Sequence, residues 1–381
     1  MRRLAPGSLS APPLAVCAPN AFKGTLSAHL AARALALGVA DAGCSAVETP
    51  VADGGDGTLD VLLAGRVDAA VTRHRVSGPT GEPITARLGR LDRDTAVVEL
   101  AEASGVRRVR SGGLDAMYAT SRGTGELIKL ALDAGCRQII VGVGGSACTD
   151  GGAGLLQALG AGLHDSSGMA IGPGGAGLED LASIDLAHLH PGLASCSIEV
   201  ACDVRSPLLG DQGAARVFAA QKGARGAEIE RLERALEHLV AIVGRTRRGH
   251  LEQLPGAGAA GGCGFGLALI GARLVDGAGL VCDLVGLDAA LVGASVAITG
   301  EGRLDSQTAT GKAPAEVAAR ARALGIPCVA ICGSVLDPLP DLFRSTFALD
   351  AIDPAVDPMR HTRALLRRAA SRAMRAVLGA Q

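Results

Sequence analysis

Residues 14–58 read LAVCAPNAFKGTLSAHLAARALALGVADAGCSAVETPVADGGDGT, and this stretch decides the fold. Leu14–Pro19 is a short apolar run of strand length, and Asn20–Thr25 is a polar loop. Over Ser27–Ala42, Leu and Ala recur at helical spacing, with Ser27 as N-cap and Gly43 as stop. Val47–Ala52 reads as a second strand and Asp53–Gly57 as a second loop. The unit is β-α-β, with polar residues just past the strand ends, where α/β proteins hold ligands. The far end of the chain returns to the same alternation, with strand Ser295–Thr299, loop Gly300–Gly311, helix Pro314–Leu324, strand Pro327–Cys332 and a helix over about Pro358–Leu378.

The middle of the chain differs. From about 70 to 101, β segments such as Ile84–Leu91 and Ala96–Ala101 alternate with the turns GPTGEP and LDRD. A helix (Gly125–Ala134), a strand (Gln138–Val143), the loop GGSACTDGG and another helix follow. Residues 161–195 are Gly-rich and irregular, Ser197–Asp203 reads as a strand, and Arg225–Arg245 as a charged amphipathic helix. With 381 residues, two domains are expected. The reading is an α/β protein whose Rossmann-like domain is discontinuous, 1–67 plus 283–381, with a second α/β domain, 68–282, inserted. The first thirteen residues, rich in Pro and Ser, read as a frayed tail.

Composition removes several function classes. The formal net charge is −1, which gives no reason to expect nucleic acid or an anionic membrane as partner. No run of about 18 uncharged apolar residues exists, and Leu14–Ala18 is too short for a signal-peptide core, so a cytoplasmic protein is expected. Six Arg between 360 and 375 read as the solvated face of a packed helix, since its apolar side is largely Ala, too weak for a membrane anchor. The ten Cys are spread singly with no CxxC, as in a reducing compartment. Aromatic residues are only 2%, so the elements must interlock through small side chains.

Of the 37 basic residues only Lys23, Lys129, Lys222 and Lys312 are Lys. A Lys that survives such a bias toward Arg is expected where a compact ammonium is needed. Three of the four sit beside Gly, in FKG, QKG and GKA. Two motifs mislead. PGAGAAGG (255–262) contains G-x-G-x-x-G but follows polar HLEQLP instead of a strand, so it reads first as a close-packed helix start. TGKA (310–313) has Ser306 and Ala313 where a P-loop needs Gly and Ser/Thr.

VADGGDGT (51–58) and GVGGSACTDGGAG (142–154) each follow a strand and precede a helix. Their Gly54, Gly55, Gly144, Gly145, Gly151 and Gly152 let backbone N–H groups approach an anion, with Ser146 beside them. Asp53 and Asp150 are of the type that positions Mg²⁺ beside phosphate oxygens. Taken singly, each loop is better explained as an Asp cap or a tight turn; two such loops favour a site. ACDVRSPLLG (201–210) puts Asp203 at a strand end, where an Asp is either a helix cap or a group pointed into a cleft. In a kinase it would be the candidate base for the acceptor hydroxyl, with Arg205 two residues on. FAAQKGA (218–224) offers Gln221 and Lys222. TGEGRLDSQTATGK (299–312) offers Glu301, Arg303, Asp305, Gln307 and Lys312; a structural salt-bridge network is the plain alternative, and the position after a strand, between Gly residues, favours a site. None of the eight His lies in these loops. Carboxylates, Lys and Gly without His fit phosphoryl transfer, which rests on positioning and charge neutralisation.

These segments, with APNAFKGTLSA (18–28) and GTGELI (123–128), resemble in order and spacing the bacterial two-domain glycerate kinase family. The resemblance covers residues 14–335. It implies ATP-dependent phosphorylation of glycerate, most often to 2-phosphoglycerate, with Mg²⁺ and an active-site cleft between the domains. On that basis Lys23 and Lys222 would hold phosphate or carboxylate charge, and Asp53 and Asp150 would position Mg²⁺ or substrate. Asp203 would accept the proton, Glu301, Asp305 and Lys312 would line the other side, and Arg205 and Arg303 are candidates for the glycerate carboxylate. The chain departs from the family at Asn20-Ala21 (Asp-Ser), Cys148-Thr149 (Thr-Asn) and Ser206 (Asn), which bears on fine specificity. Two competing readings are a nicotinamide-dependent dehydrogenase of a small hydroxy acid, drawn from the G-x-G-x-x-G string, and a non-catalytic nucleotide-binding protein.

Overall fold

A computed structural model describes residues 12–110, 112–246, 249–306, 308, 311–336 and 342–379. The expected tail before residue 12 and Gln307 lie outside the described residues. The chain is mixed α/β and divides into two compact units, Met1–Val51 with Cys282–Gln381, and Ala52–Val281.

The smaller unit is built on a five-stranded parallel sheet in the order Ser345–Ala348, Cys328–Cys332, Val296–Thr299, Leu14–Cys17, Ser45–Glu48. The three central strands are buried along their length apart from Leu14, as all-parallel sheets require. Helix Ala28–Asp41 starts where Ser27 Oγ accepts from Leu30 N, and turns out at Gly43, φ 77°. The second strand is earlier than expected, Ser45–Glu48 instead of Val47–Ala52. It pairs Leu14 with Ser45, and Thr49 and Val51 then bond to the next stretch, around Pro50, which has no N–H.

The small-residue composition is explained at one crossing. A Cβ on Gly38 would stand 2.1 Å from the Arg367 carbonyl oxygen, so the helices Ala28–Asp41 and Pro358–Gly379 touch backbone to backbone. The terminal helix buries Leu365, Leu366, Ala370, Ala373 and Met374. Its Arg367 forks onto Asp41 (2.5 and 2.7 Å) and Arg368 reaches Asp353, a solvated face as expected. Among the described residues, no helix is long and apolar enough to cross a membrane.

The larger unit holds a six-stranded mixed sheet. An antiparallel edge, Ala70–Ser77 with Pro83–Arg90, continues into Thr95–Glu99; the parallel strands Gln138–Gly142, Ser197–Cys202 and Arg273–Asp276 follow in that order. Helix Ala227–Thr246 buries Leu232, Leu236 and Leu239 and exposes Glu230, Arg231, Arg234 and Glu237, while Glu233 is buried and accepts from Gly210 N at 2.6 Å. One boundary must be corrected. Residues 52–67, expected with the N-terminal domain, belong to the larger unit. The reason is local: the loop 53–57 and the helix Thr58–Leu63 bond to Gly144 and Glu99.

Candidate active site

In the larger unit, the register sets Glu99, Gly142 and Ala201 level at the carboxyl ends of three adjacent parallel strands. The loop 53–57 lies over this edge. Gly144 N donates to Gly54 O at 3.1 Å, and a Cβ on Gly54 would stand 2.3 Å from the Ala201 oxygen. A Cβ on Gly144 would stand 2.4 Å from Gly55 Cα. Here glycine is required for backbone-to-backbone contact, and Gly54 also has φ 91°. Asp53 is buried in this loop, its Oδ1 accepting from Gly55 N at 3.3 Å. Asp203 follows directly on Ser197–Cys202 and is half-buried, while Arg205 is exposed. The negative charges of Asp203 and Asp276 add to burial in pushing the Cys202 thiol up to about 12.

The second loop folds differently from its reading. Asp150 is fully buried, and its carboxylate accepts four bonds: Ser121 N and Ser121 Oγ (both 2.8 Å), Gly154 N (3.3 Å) and Gly152 N (3.1 Å). Burial pushes its carboxyl up, and the four donors pull the other way. Gly151 and Gly152, at φ 62° and 80°, let the backbone fold around it into helix Ala153–Ala158. Ser146 is buried and pairs with Gly105. Lys222 is also buried, and its Nζ donates to the Cys148 carbonyl at 2.6 Å. Burial pushes that ammonium below its usual range. Its neighbour Gln221 is exposed. Asp150 and Lys222, expected as contacts of Mg²⁺ and phosphate, are placed in the interior, where their side chains hold the loop.

Among the described residues, Cys148, Asp150 and Cys263 form one group whose ligand-type atoms lie within 4.8 Å of one another. It is a poor cation site. The Asp150 oxygens already accept four donors, and the Lys222 ammonium lies against the same loop.

In the smaller unit the polar residues stand past Val296–Thr299. A Cβ on Gly300 would stand 1.7 Å from the Ile331 oxygen, which fixes the start of this loop. Glu301 accepts from Thr308 Oγ1 at 2.7 Å. Asp305 is buried between two cations, Arg303 at 3.5 Å and Lys312 at 3.6 Å. Lys312 occupies the N-cap position of helix Ala313–Ala323. Lys23 is exposed in the turn closed by Phe22 and Leu26, and its backbone lies near Gly302. Three of the expected residues, Arg303, Asp305 and Lys312, are thus brought together as one ion-pair group.

Sequence reasoning missed Glu99 and Ser121. Glu99 is buried, and its two oxygens accept from Gly57 N (3.0 Å) and Leu59 N (3.1 Å). The signal was present: an acid ending the apolar strand Thr95–Glu99 has the same grammar as Asp203 ending its own. Asp56 and Glu102 nearby pair with Arg107, and with Arg87 and Arg108.

The G-x-G-x-x-G string is used for packing. Helix Ala259–Leu269 opens with three left-handed residues, Ala260 (φ 55°), Gly261 and Gly262. A Cβ on Gly261 would stand 2.1 Å from the Cys148 oxygen, and one on Gly258 2.2 Å from the Pro207 oxygen. Neighbouring backbone crowds Gly258 and Gly261, and the Cys202 side chain crowds Gly256, as the close-packed reading expects, and the dehydrogenase reading loses its motif.

A profile of the glycerate kinase family matches residues 15–378. The chain is 44% identical over 327 residues to glycerate 2-kinase of Escherichia coli K12, covering 84% of this chain and 85% of that one. It is 43% identical over 324 residues to glycerate kinase of Bacillus subtilis 168, covering 84% and 85%. A crystal structure from Salmonella typhimurium LT2, assigned as a glycerate kinase 2, superposes with a TM-score of 0.83 at 39% identity, covering 97% of this chain and 99% of that one.

Proposed function

The chain belongs to the glycerate kinase family, and from that premise we propose that it transfers the γ-phosphoryl group of ATP to a hydroxyl of D-glycerate, giving 2-phosphoglycerate. The observation that carries this is the meeting of the loop 53–57, Gly144 and the end of the Asp203 strand at one edge of the larger sheet. Strand ends in α/β folds are where ligands are held.

Asp203, half-buried and just past its strand, is the base. As the hydroxyl oxygen bonds to the γ-phosphorus, the bond to the β,γ-bridging oxygen breaks and ADP leaves. The hydroxyl proton passes to the Asp203 carboxylate. Arg205, exposed two residues on, pairs with the glycerate carboxylate, a geometry suited to a guanidinium. In the smaller unit, Lys23 and the Arg303–Asp305–Lys312 group serve phosphate charge. They hold cations near the surface, and Lys312 exchanges its Asp305 contact for a phosphate oxygen.

Mg²⁺ supplies charge neutralisation on the phosphoryl oxygens. The donor chemistry divides the two expected ligands. Asp53 fits, as a hard carboxylate in a loop of glycine backbone. Asp150 does not, its carboxylate being committed to four donors in the interior.

The test is ADP release with D-glycerate as acceptor, followed by phosphorus NMR of the product. Glycerate-dependent ADP and a 2-phosphoglycerate signal are expected. No glycerate-dependent ADP at millimolar acceptor would overturn the activity, and a 3-phosphoglycerate signal would overturn the choice of hydroxyl.

A further inference from the structure

We propose that Glu99 is a positioning residue of the reaction: its ionised carboxylate, reaching across from the end of a neighbouring strand, holds the loop 53–57 in working geometry. This rests on the kinase reading above.

The helix Thr58–Leu63 begins at Gly57, which sits at φ 93° and has no side chain to cap the first N–H groups. Such donors need an acceptor. Glu99 supplies it from 42 and 40 residues away, one oxygen to Gly57 N and the other to Leu59 N. Thr58 Oγ1 in turn donates to Gly55 O at 2.7 Å, so the restraint passes back into the turn that carries Asp53. The other side of that turn rests on Gly144 and Ala201, where its glycines have no side chain to lock them. Glu99 is therefore the side-chain anchor at the helix end of the loop.

Its surroundings do not favour a charge. Glu99 is 3% exposed, and among the described residues no cation is paired with it. The groups that face it are acids already matched elsewhere: Asp56 with Arg107 on the loop side, Glu102 with Arg87 and Arg108 on its own segment, and Asp60 with Arg87 on the helix. Burial, with Asp56 and Glu102 adding, pushes its carboxyl up to about 7 against the pull of the two N–H bonds. Protonation would put an O–H where an N–H now donates, and one of the two bonds would be lost. The loop is then held fully only above that range.

The test compares wild type with Glu99→Gln and Asp56→Asn across pH 5.5–9. Gln keeps one acceptor and turns a donor toward the second N–H, so it copies the protonated state. Wild-type kcat should fall on the acid side with an apparent pKa near 7. Glu99→Gln should lower kcat at pH 8.5 by about 10-fold and flatten that limb, as expected when a group supporting an active-site loop is lost. Asp56→Asn keeps both bonds, removes a neighbouring negative charge, and should move the limb to lower pH. Hydrogen–deuterium exchange over residues 54–63 gives a readout independent of turnover. In local opening of this segment Glu99 stays buried and loses only the two N–H bonds that pull its pKa down. Corrected for intrinsic rates, and unlike global stability, local protection in wild type should therefore rise from pH 6 to 8, and in Glu99→Gln it should not. An acid limb unchanged in both variants, a uniform loss in Glu99→Gln with the limb intact, or protection that ignores pH would each overturn the proposal. Absent glycerate-dependent turnover in wild type would instead count against the kinase reading, and the exchange experiment would still decide the role of Glu99.

Discussion

Two loops composed of the same residue types behave as opposites. The loop 142–154 and the loop 299–312 both follow a buried parallel strand and both mix Gly with acids. In the first, Asp150 sits in the interior with four neutral donors and no exposure. In the second, Asp305 stands between two cations, and Lys312 keeps a side-chain exposure of 24%. A carboxylate satisfied by backbone N–H groups cannot give them up without unfolding its loop. One satisfied by flexible cations can exchange them when an anionic ligand arrives. On the function proposed above, the difference separates acids that build the site from acids that serve in it, and the loop 53–57 would combine both kinds in Asp53 and its anchor Glu99.

The largest effect is expected at Asp203, half-buried at the end of its strand. Asp203→Asn should lower turnover by about 10² to 10⁴-fold with little change in unfolding midpoint. Near-normal turnover would remove it from the chemistry. Asp150→Ala should do the reverse. Leaving four buried donors unmet should cost about 3–5 kcal/mol in chemical denaturation. A stable variant that has lost Mg²⁺-dependent activity alone would restore Asp150 as a metal ligand and erase the contrast.

Glu99 tests the contrast through pH. Its folded pKa, about 7, lies above the ordinary 4.5, so its contribution to stability is full below about 4.5 and lost as pH rises through 7. Relative to wild type, Glu99→Gln should therefore gain stability between pH 5 and 8, by roughly 2–3 kcal/mol, while losing activity. A midpoint difference independent of pH would show that the carboxylate is not strained by its burial. The smallest stability effect belongs to the smaller unit. Asp305→Asn keeps the buried side chain's volume and loses pairs of 3.5 and 3.6 Å to cations that reach solvent. It should change stability by about 0–1 kcal/mol, measured by thermal unfolding, while raising the KM for ATP. A loss of several kcal/mol would place Asp305 in the same class as Asp150.

The sequence by itself determined the α/β class, the terminal β-α-β grammar, the loop positions and the family. These depend on near neighbours: strand length, helical spacing, Ser27 accepting from the N–H three residues on, Gly43 ending the helix. It also carried the dismissal of PGAGAAGG as a dinucleotide fingerprint, because the missing strand before it is a local fact. The tertiary structure decided which acids are spent and which are available. Ser121 meets Asp150 across 29 residues, Lys222 meets Cys148 across 74, and Glu99 meets Gly57 across 42. It also decided that residues 52–67 join the larger unit, since their partners lie there. A hydrogen bond is satisfied by whatever donor the fold brings within about 3 Å, and over such separations no local pattern states which donor that will be.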